Sequence, residues 1–318
     1  MRDDTRWPTS PEGNPLQANF NRLVENLARH VDRLARSIGP RHVGHPTALT
    51  AAATLIEREL AQSGYVVQRQ RYLAGGVEVA NLIAELPGTS RADEIVILGA
   101  HYDTVPTTPG ADDNASAVAV LLEVARLMRP AEPARTVRFV AFACEEVPHF
   151  YTGEMGSQVY ARGCRSRNER VIGMLCLEMV GYYTSAPGSQ QIPAGIPEFL
   201  RGALPECGNF LAAVGNLPSA ELLQTFERGF KEAVEFPLFA IALPAQIPEI
   251  NLSDNSAFWE QGYPALMLTD TSFLRNPHYH LPSDTPDTLD YASMAQVALG
   301  VLGGLSAAAL SRLPEAST

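Results

Sequence analysis

From Leu16 to Leu34 the chain returns to an apolar residue every three or four positions, through Phe20, Leu23, Leu27 and Val31. That period predicts a helix over "LQANFNRLVENLARHVDRLARSI" with one face against a core. "TALTAAATLIERELAQSG" repeats the pattern and predicts a second amphipathic helix, stopped by Gly64. The period then shortens in "YVVQRQRYL" and "VEVANLIAEL", which the short "AGG" joins as a hairpin. "EIVILGA" is apolar without a break, as a central strand covered on both faces would be. Beyond it the two periods alternate. "ASAVAVLLEVARLM" predicts a helix, "TVRFVAFAC" a strand, "GEMGSQVYARG" a shorter helix and "VIGMLCLEM" a strand. After a Gly/Ser/Pro-rich loop come "FLAAVGN", the helix "SAELLQTFERGFKEAV", "PLFAIAL", the short helix "NSAFWEQ", the strand "PALMLT" and a last helix from about Tyr291.

This alternation predicts an α/β fold: a mixed, mostly parallel central sheet with helices on both faces. The 318 residues, 46% of them apolar, suffice for one large domain. We expect a single domain over 1–318, with residues of about 183–250 as a lid-forming insertion. A net charge of −11 speaks against a nucleic-acid groove, which needs clustered Lys and Arg, and leaves room for carboxylates that serve as ligands. No apolar run approaches the ~20 residues that span a bilayer. The opening "MRDDTRWPTSPEGNP" lacks the basic-then-apolar order of an export signal. The expectation is a cytoplasmic protein with neither a membrane nor a nucleic-acid partner. Cys144, Cys164, Cys176 and Cys207 are too few and too scattered for a disulfide framework, so buried thiols are expected.

Open α/β sheets bind ligands outside the C-terminal ends of their strands, and this chain is most polar there. His101 and Asp103 follow "EIVILGA", Glu145 and Glu146 follow "TVRFVAFAC", Glu178 lies at the end of "VIGMLCLEM", and His280 lies in the loop after "PALMLT". Asp113 sits in the loop that opens the next helix. Imidazoles and carboxylates in this combination suit zinc or a related divalent ion. Each residue alone has a plainer account. Asp112 or Asp113 could cap the following helix, a single His after a strand is more often a satisfied loop residue, and adjacent glutamates repel unless a cation or a proton intervenes. Recurrence at four strand ends in succession outweighs those accounts.

"HYD", "GADDNAS", "EE" with "GS" downstream, an acidic residue closing a strand and "YHLPSDT" occur in that order between about Leu82 and Leu305. As an ordered set they resemble the co-catalytic di-zinc exopeptidase family, which includes bacterial leucyl aminopeptidases, glutamate carboxypeptidases and glutaminyl cyclases. The resemblance implies two Zn²⁺ or related divalent ions per chain. Asp113 would bridge them, with His101 and Glu178 completing one site and Glu146 and His280 the other. It implies that Asp103 orients His101 and that Glu145 is the general base. In such sites two cations acidify a shared water and polarise the scissile carbonyl, and the base passes the water's proton to the leaving amine.

The sequence departs from the family pattern in several places. Glu178 stands where aminopeptidase members usually carry Asp, and Asn255 in "SDNSAF" stands where many relatives have His. "VPHFYTGEM" between "EE" and "GS" is longer than the usual turn, which brings His149, Phe150 and Tyr151 toward the pocket and makes His149 a further ligand to weigh. His278 in "NPHYH" rivals His280, which its spacing to Asp284 and Thr285 favours. The implied activity is that of a zinc-dependent exopeptidase, first an aminopeptidase acting on short peptides. A carboxypeptidase or dipeptidase, a glutaminyl cyclase and, last, a non-catalytic scaffold are the alternatives. The acidic edge formed by Glu145, Glu146, Glu154 and Glu178 favours a substrate amine. Arg275 is the one basic side chain close in sequence to a proposed ligand, and so the first candidate to receive a terminal carboxylate.

Overall fold

The computed structural model describes residues 15–192, 201–202 and 204–310. The described strands are β1 (Val67–Ala74), β2 (Val77–Leu86), β3 (Arg91–His101), β4 (Arg135–Phe142), β5 (Arg170–Glu178), β6 (Leu211–Asn216), β7 (Leu238–Leu243) and β8 (Ala265–Thr269). They form one sheet in the order β1-β2-β4-β3-β5-β8-β6-β7. β1 and β2 are the expected antiparallel hairpin, and β2 joins β4 antiparallel. β4, β3, β5 and β8 are then four consecutive parallel neighbours. β6 pairs antiparallel with β8 and parallel with β7. The sheet is therefore mixed and mostly parallel. The four parallel strands end on one edge, and that edge receives the polar loops.

Helices α1 (Pro15–Val31), α2 (Pro46–Gln62), α3 (Ala117–Met128), α5 (Ala220–Ala233) and α7 (Tyr291–Ala308) cover one face, with Leu27, Ile56, Val120, Phe226 and Val301 among the buried side chains. A π-helical stretch carries α1 on to Ile38. On the other face, α4 (Gly156–Ser166) and α6 (Asn255–Glu260) close a smaller cluster around Phe142, Tyr160 and Phe258, whose rings meet at 5.8–6.3 Å. Within the stretch expected to form a lid, Leu211–Leu243 builds β6, α5 and β7 at one end of the sheet.

One sequence expectation is corrected at α7. This helix has 18 residues of mean hydropathy 1.3, long and apolar enough to cross a membrane, and 72% of it is buried inside the protein. Alanines and glycines interrupt its large apolar residues. Their small size serves packing on α5. A Cβ at Gly303 would lie 2.4 Å from the carbonyl oxygen of Gly229, and one at Gly229 would lie 2.4 Å from that of Gly303. The two helix backbones thus approach through paired glycines.

Candidate active site

Backbone geometry brings the strand-end residues together. His101 is the last residue of β3 and Glu178 the last of β5. Glu145 and Glu146 follow β4 through Cys144, which takes a left-handed φ of 60°, and His280 has a φ of 57°. Positive φ in non-glycine residues costs free energy and collects at functional sites. Gly110 opens the Asp113 loop at φ 63°, where a Cβ would lie 2.4 Å from the Asp113 carbonyl and from the Thr104 methyl, so only glycine fits. Asp113 itself is not helical, with φ −101° and ψ 90°. Neither Asp112 nor Asp113 caps α3, which starts later than the periodicity suggests, at Ala117.

Two three-residue groups result, and they share one member. His101 Nε2 lies 3.4 Å from Asp113 Oδ1 and 3.4 Å from Glu178 Oε2. His280 Nε2 lies 3.0 Å from Asp113 Oδ2 and 3.3 Å from Glu146 Oε1. Within each group the ligand-type atoms fall inside 4.8 Å of one another. Glu145 lies beside both, its Oε2 3.9 Å from His101 Nε2. Asp103 accepts the backbone N–H groups of Glu145 (3.0 Å) and Glu146 (3.1 Å), and its Oδ1 is 3.5 Å from His101 Nδ1. A single carboxylate thus holds the glutamate loop against the histidine strand.

These residues fit a divalent cation on their own chemistry. His101 Nε2, Asp113 Oδ1 and Glu146 Oε1 are buried and make no hydrogen bond. An unmade hydrogen bond at a buried atom costs ~1–3 kcal/mol, so a cluster of them is not retained for stability. Two imidazoles and three carboxylates around one shared Asp are a zinc-type donor set.

The field within the cluster is uneven. Burial pushes the Glu145 carboxyl well above the ordinary carboxylate range, with the charges of Glu178, Glu146 and Asp254 adding to it against His101. Burial and Asp113 raise Glu146 to about 7. Burial opposes ionisation of Asp113, but His101 and His280 overcome it and hold that carboxyl below its usual value. His280 rises to about 10 because Asp113 and Glu146 outweigh its burial.

Other predicted residues lie elsewhere. His149 hydrogen-bonds Glu154 at 3.1 Å, and Glu154 accepts the Gly75 N–H, so this pair ties the long loop to the β1–β2 turn. His278 bonds Ser283 at 3.0 Å and belongs to neither group. Asn255 donates to the Ile250 carbonyl. Arg275 is buried, donates to Gln190, to the Phe210 carbonyl and to the Tyr182 carbonyl, and its guanidinium lies over the rings of Phe210 and Tyr183.

Sequence reasoning missed several supports. Asp284 accepts the backbone N–H of Asp112 (2.8 Å) and Asp113 (3.2 Å) across about 170 residues of chain. Asp112 turns away from the ion-type cluster to accept from Gly181 N and Asn276 Nδ2. Ser253 donates to Glu178 Oε2 at 2.5 Å, bracing the longer carboxylate. Tyr279 stacks on the His280 ring at 3.8 Å. Its place beside His280 in the sequence was the one available signal; the others are set by strand order.

Beside Glu178 opens a cavity of about 140 Å³. Ile192, Leu204, Phe210, Ile241, Ile250 and Met267 give it apolar walls, which draw on both ends of the 183–250 stretch and on β7 and β8. Among the described residues that line it, none is Lys or Arg.

Comparison with known proteins follows this geometry. Residues 81–304 match the model of peptidase family M28. The chain is 38% identical over 305 residues to the Escherichia coli K12 "uncharacterized protein YfbL", covering 93% of this chain and 90% of that one. Its fold is similar to a zinc aminopeptidase from Bacillus subtilis, with a TM-score of 0.69 at 15% identity over 89% of this chain and 94% of the other. It is also similar to a glutaminyl cyclase from Fimbriiglobus ruber, with a TM-score of 0.64 at 22% identity over 96% and 99%. The family match extends over most of the chain and spans both ligand-type groups: this protein belongs to peptidase family M28.

Proposed function

We propose that this chain is a two-metal aminopeptidase that removes apolar N-terminal residues from short peptides. The observation that carries the reading is the pair of groups sharing Asp113, buried but for the half-buried His280, with unpartnered atoms on His101, Asp113 and Glu146. His101, Asp113 and Glu178 would hold one cation, and Asp113, Glu146 and His280 the other. Zinc ions held there would supply Lewis acidity toward water and the scissile carbonyl. Glu145, outside both groups and with a raised proton affinity, takes the proton of the attacking water and returns it to the leaving amine. Asp103 fixes Glu145 through its backbone N–H.

The direction of attack rests on charge. A carboxypeptidase needs a cation that faces the substrate's terminal carboxylate. The described lining of the cavity has none; Arg275 is not part of that lining, and its Nε and Nη1 donate to Gln190 and main-chain carbonyls, while its buried Nη2 has no hydrogen-bond partner among the described residues. Glu178 and Glu249 at the cavity instead favour a free amine. The apolar walls favour a Leu-, Met- or Phe-sized side chain.

The test pairs metal analysis with end-blocked peptides. Purified protein should contain two divalent ions per chain, cleave a C-amidated Leu peptide and spare its N-acetylated counterpart. Absence of stoichiometric metal overturns the metal-centre reading. Cleavage of the acetylated peptide alone reverses the direction.

A further inference from the structure

Arg41 lies outside the family match, which begins at residue 81, yet it is fully buried beneath the metal-type loop. All three of its side-chain nitrogens donate to backbone carbonyls. Nε donates to Tyr102 O (2.7 Å), Nη1 to Pro109 O (2.7 Å) and, more distantly, to Leu34 O and Gly39 O (both 3.3 Å), and Nη2 to Gly110 O (2.9 Å). Its own backbone is clamped as well: Arg41 N donates to Thr104 Oγ1, and Thr104 N donates to Arg41 O, each at 3.1 Å.

Apart from the two longer bonds to Leu34 O and Gly39 O in its own N-terminal segment, these contacts fall on the two ends of one loop, Tyr102–Thr104 and Pro109–Gly110. Tyr102 follows His101 directly, and Gly110 precedes Asp113 by three residues. The loop is irregular, so its buried carbonyls have no sheet or helix partners and need donors from elsewhere. The planar fork of guanidinium can reach three of them at once; an ammonium is a point charge with three donors and cannot span that arrangement. Asp103, Asp113, Glu146 and Asp284 all act on Arg41 as neighbouring negative charges. One buried cation therefore sits where metal-free carboxylates would otherwise repel.

We infer that Arg41 is a positioning residue of the metal centre, supplied by the N-terminal segment: by fixing both ends of the 102–110 loop it sets the separation of His101 and Asp113 before a cation enters. The inference rests on the two-metal reading above. It assigns the N-terminal segment a part in ligand geometry beyond covering the sheet.

The test is zinc affinity of the full-length metal-free chain, measured by competition with a chelating dye, together with the visible spectrum of the cobalt-loaded protein. Arg41→Lys keeps the charge and loses the fork. It should weaken zinc binding ~10–100-fold, as loss of a partner that orients ligands typically does, and alter the cobalt spectrum. Thr104→Val removes one contact of the clamp and should weaken binding by a smaller factor of the same sign. Gly303→Ala, at the distant α5–α7 crossing, should lower thermal stability with zinc affinity unchanged. If Arg41→Lys and Thr104→Val behave like Gly303→Ala, with lower stability but wild-type affinity and spectrum, Arg41 only holds the fold and the inference is overturned. Should Arg41→Lys fail to fold, Thr104→Val decides, and unchanged affinity there overturns the inference. A wild-type chain that binds no zinc overturns the two-metal reading itself, a result distinct from the variants' failure.

Discussion

Glu145 and Glu146 are neighbours in sequence and stand in different surroundings. Glu146 faces His280 at 3.3 Å, while Glu145 comes no nearer than 3.9 Å to His101 and feels the charges of Glu178, Glu146 and Asp254. The left-handed turn at Cys144 and the grip of Asp103 on both N–H groups separate them. The tasks proposed for them, general base for Glu145 and metal ligand for Glu146, rest on that separation. Glu145→Gln should keep the wild-type metal content and lose turnover by a factor of ~10²–10⁴, the usual contribution of a general base. Metal analysis beside kcat measurement checks this, and near-normal turnover would move the base elsewhere. The presence of two acids after a strand was legible in the sequence. Their division of roles could not be derived from it, because it depends on Asp103 and Glu178 arriving from other strands.

Among the elements, α1 and α3 meet through a buried polar cluster. Glu123 accepts from Asn26, Arg126 and His30 and is 2% exposed. Burial works against its charge, but the His30 and Arg126 hydrogen bonds outweigh burial and hold the carboxyl at about 2. A carboxyl depressed below its unfolded value near ~4.3 adds stability that is complete above that pH and is lost as pH falls toward the folded value. The increment is on the order of 3 kcal/mol. Glu123→Gln should therefore cost about that much at neutral pH and roughly half as much near pH ~3, as read by urea unfolding at both; a gap independent of pH would contradict it. The α5–α7 crossing offers a second check. Gly303→Ala drives a methyl against the Gly229 carbonyl and should cost ~1–3 kcal/mol, the range for overpacking, in the same unfolding measurement. Helical periodicity located both elements correctly, yet neither contact could be read from it. A glycine in an apolar helix and a glutamate in another gain meaning only from the helix opposite.

At the scale of the whole molecule, the sheet order does the assembling. β4, β3, β5 and β8 are scattered through the chain but adjacent and parallel in the sheet, so their C-terminal ends bring carboxylates and imidazoles into one cluster. Such a cluster of acids is costly without countercharge. Chelation should accordingly lower stability as well as abolish activity. At free zinc about a thousandfold above Kd, bound metal adds about 4 kcal/mol, which for a domain of this size is a melting-temperature drop on the order of 10 °C upon stripping. Calorimetry with and without chelator measures it, and an unchanged melting temperature would argue against a resident cation.

The sequence by itself determined the local elements, the α/β class and the ligand-type residues at the strand ends, because periodicity, turn residues and side-chain chemistry act over a few positions and are written in order along the chain. Tertiary structure alone decided how those residues combine. Which histidine meets which carboxylate, that Asp284 and Arg41 brace the same loop from opposite ends of the chain, that Arg275 donates to Gln190 of the cavity wall, and that part of the expected lid supplies sheet strands and cavity wall all depend on contacts between distant segments. The energy of such a contact depends on the geometry of both partners, and no periodicity in either segment encodes the other's position.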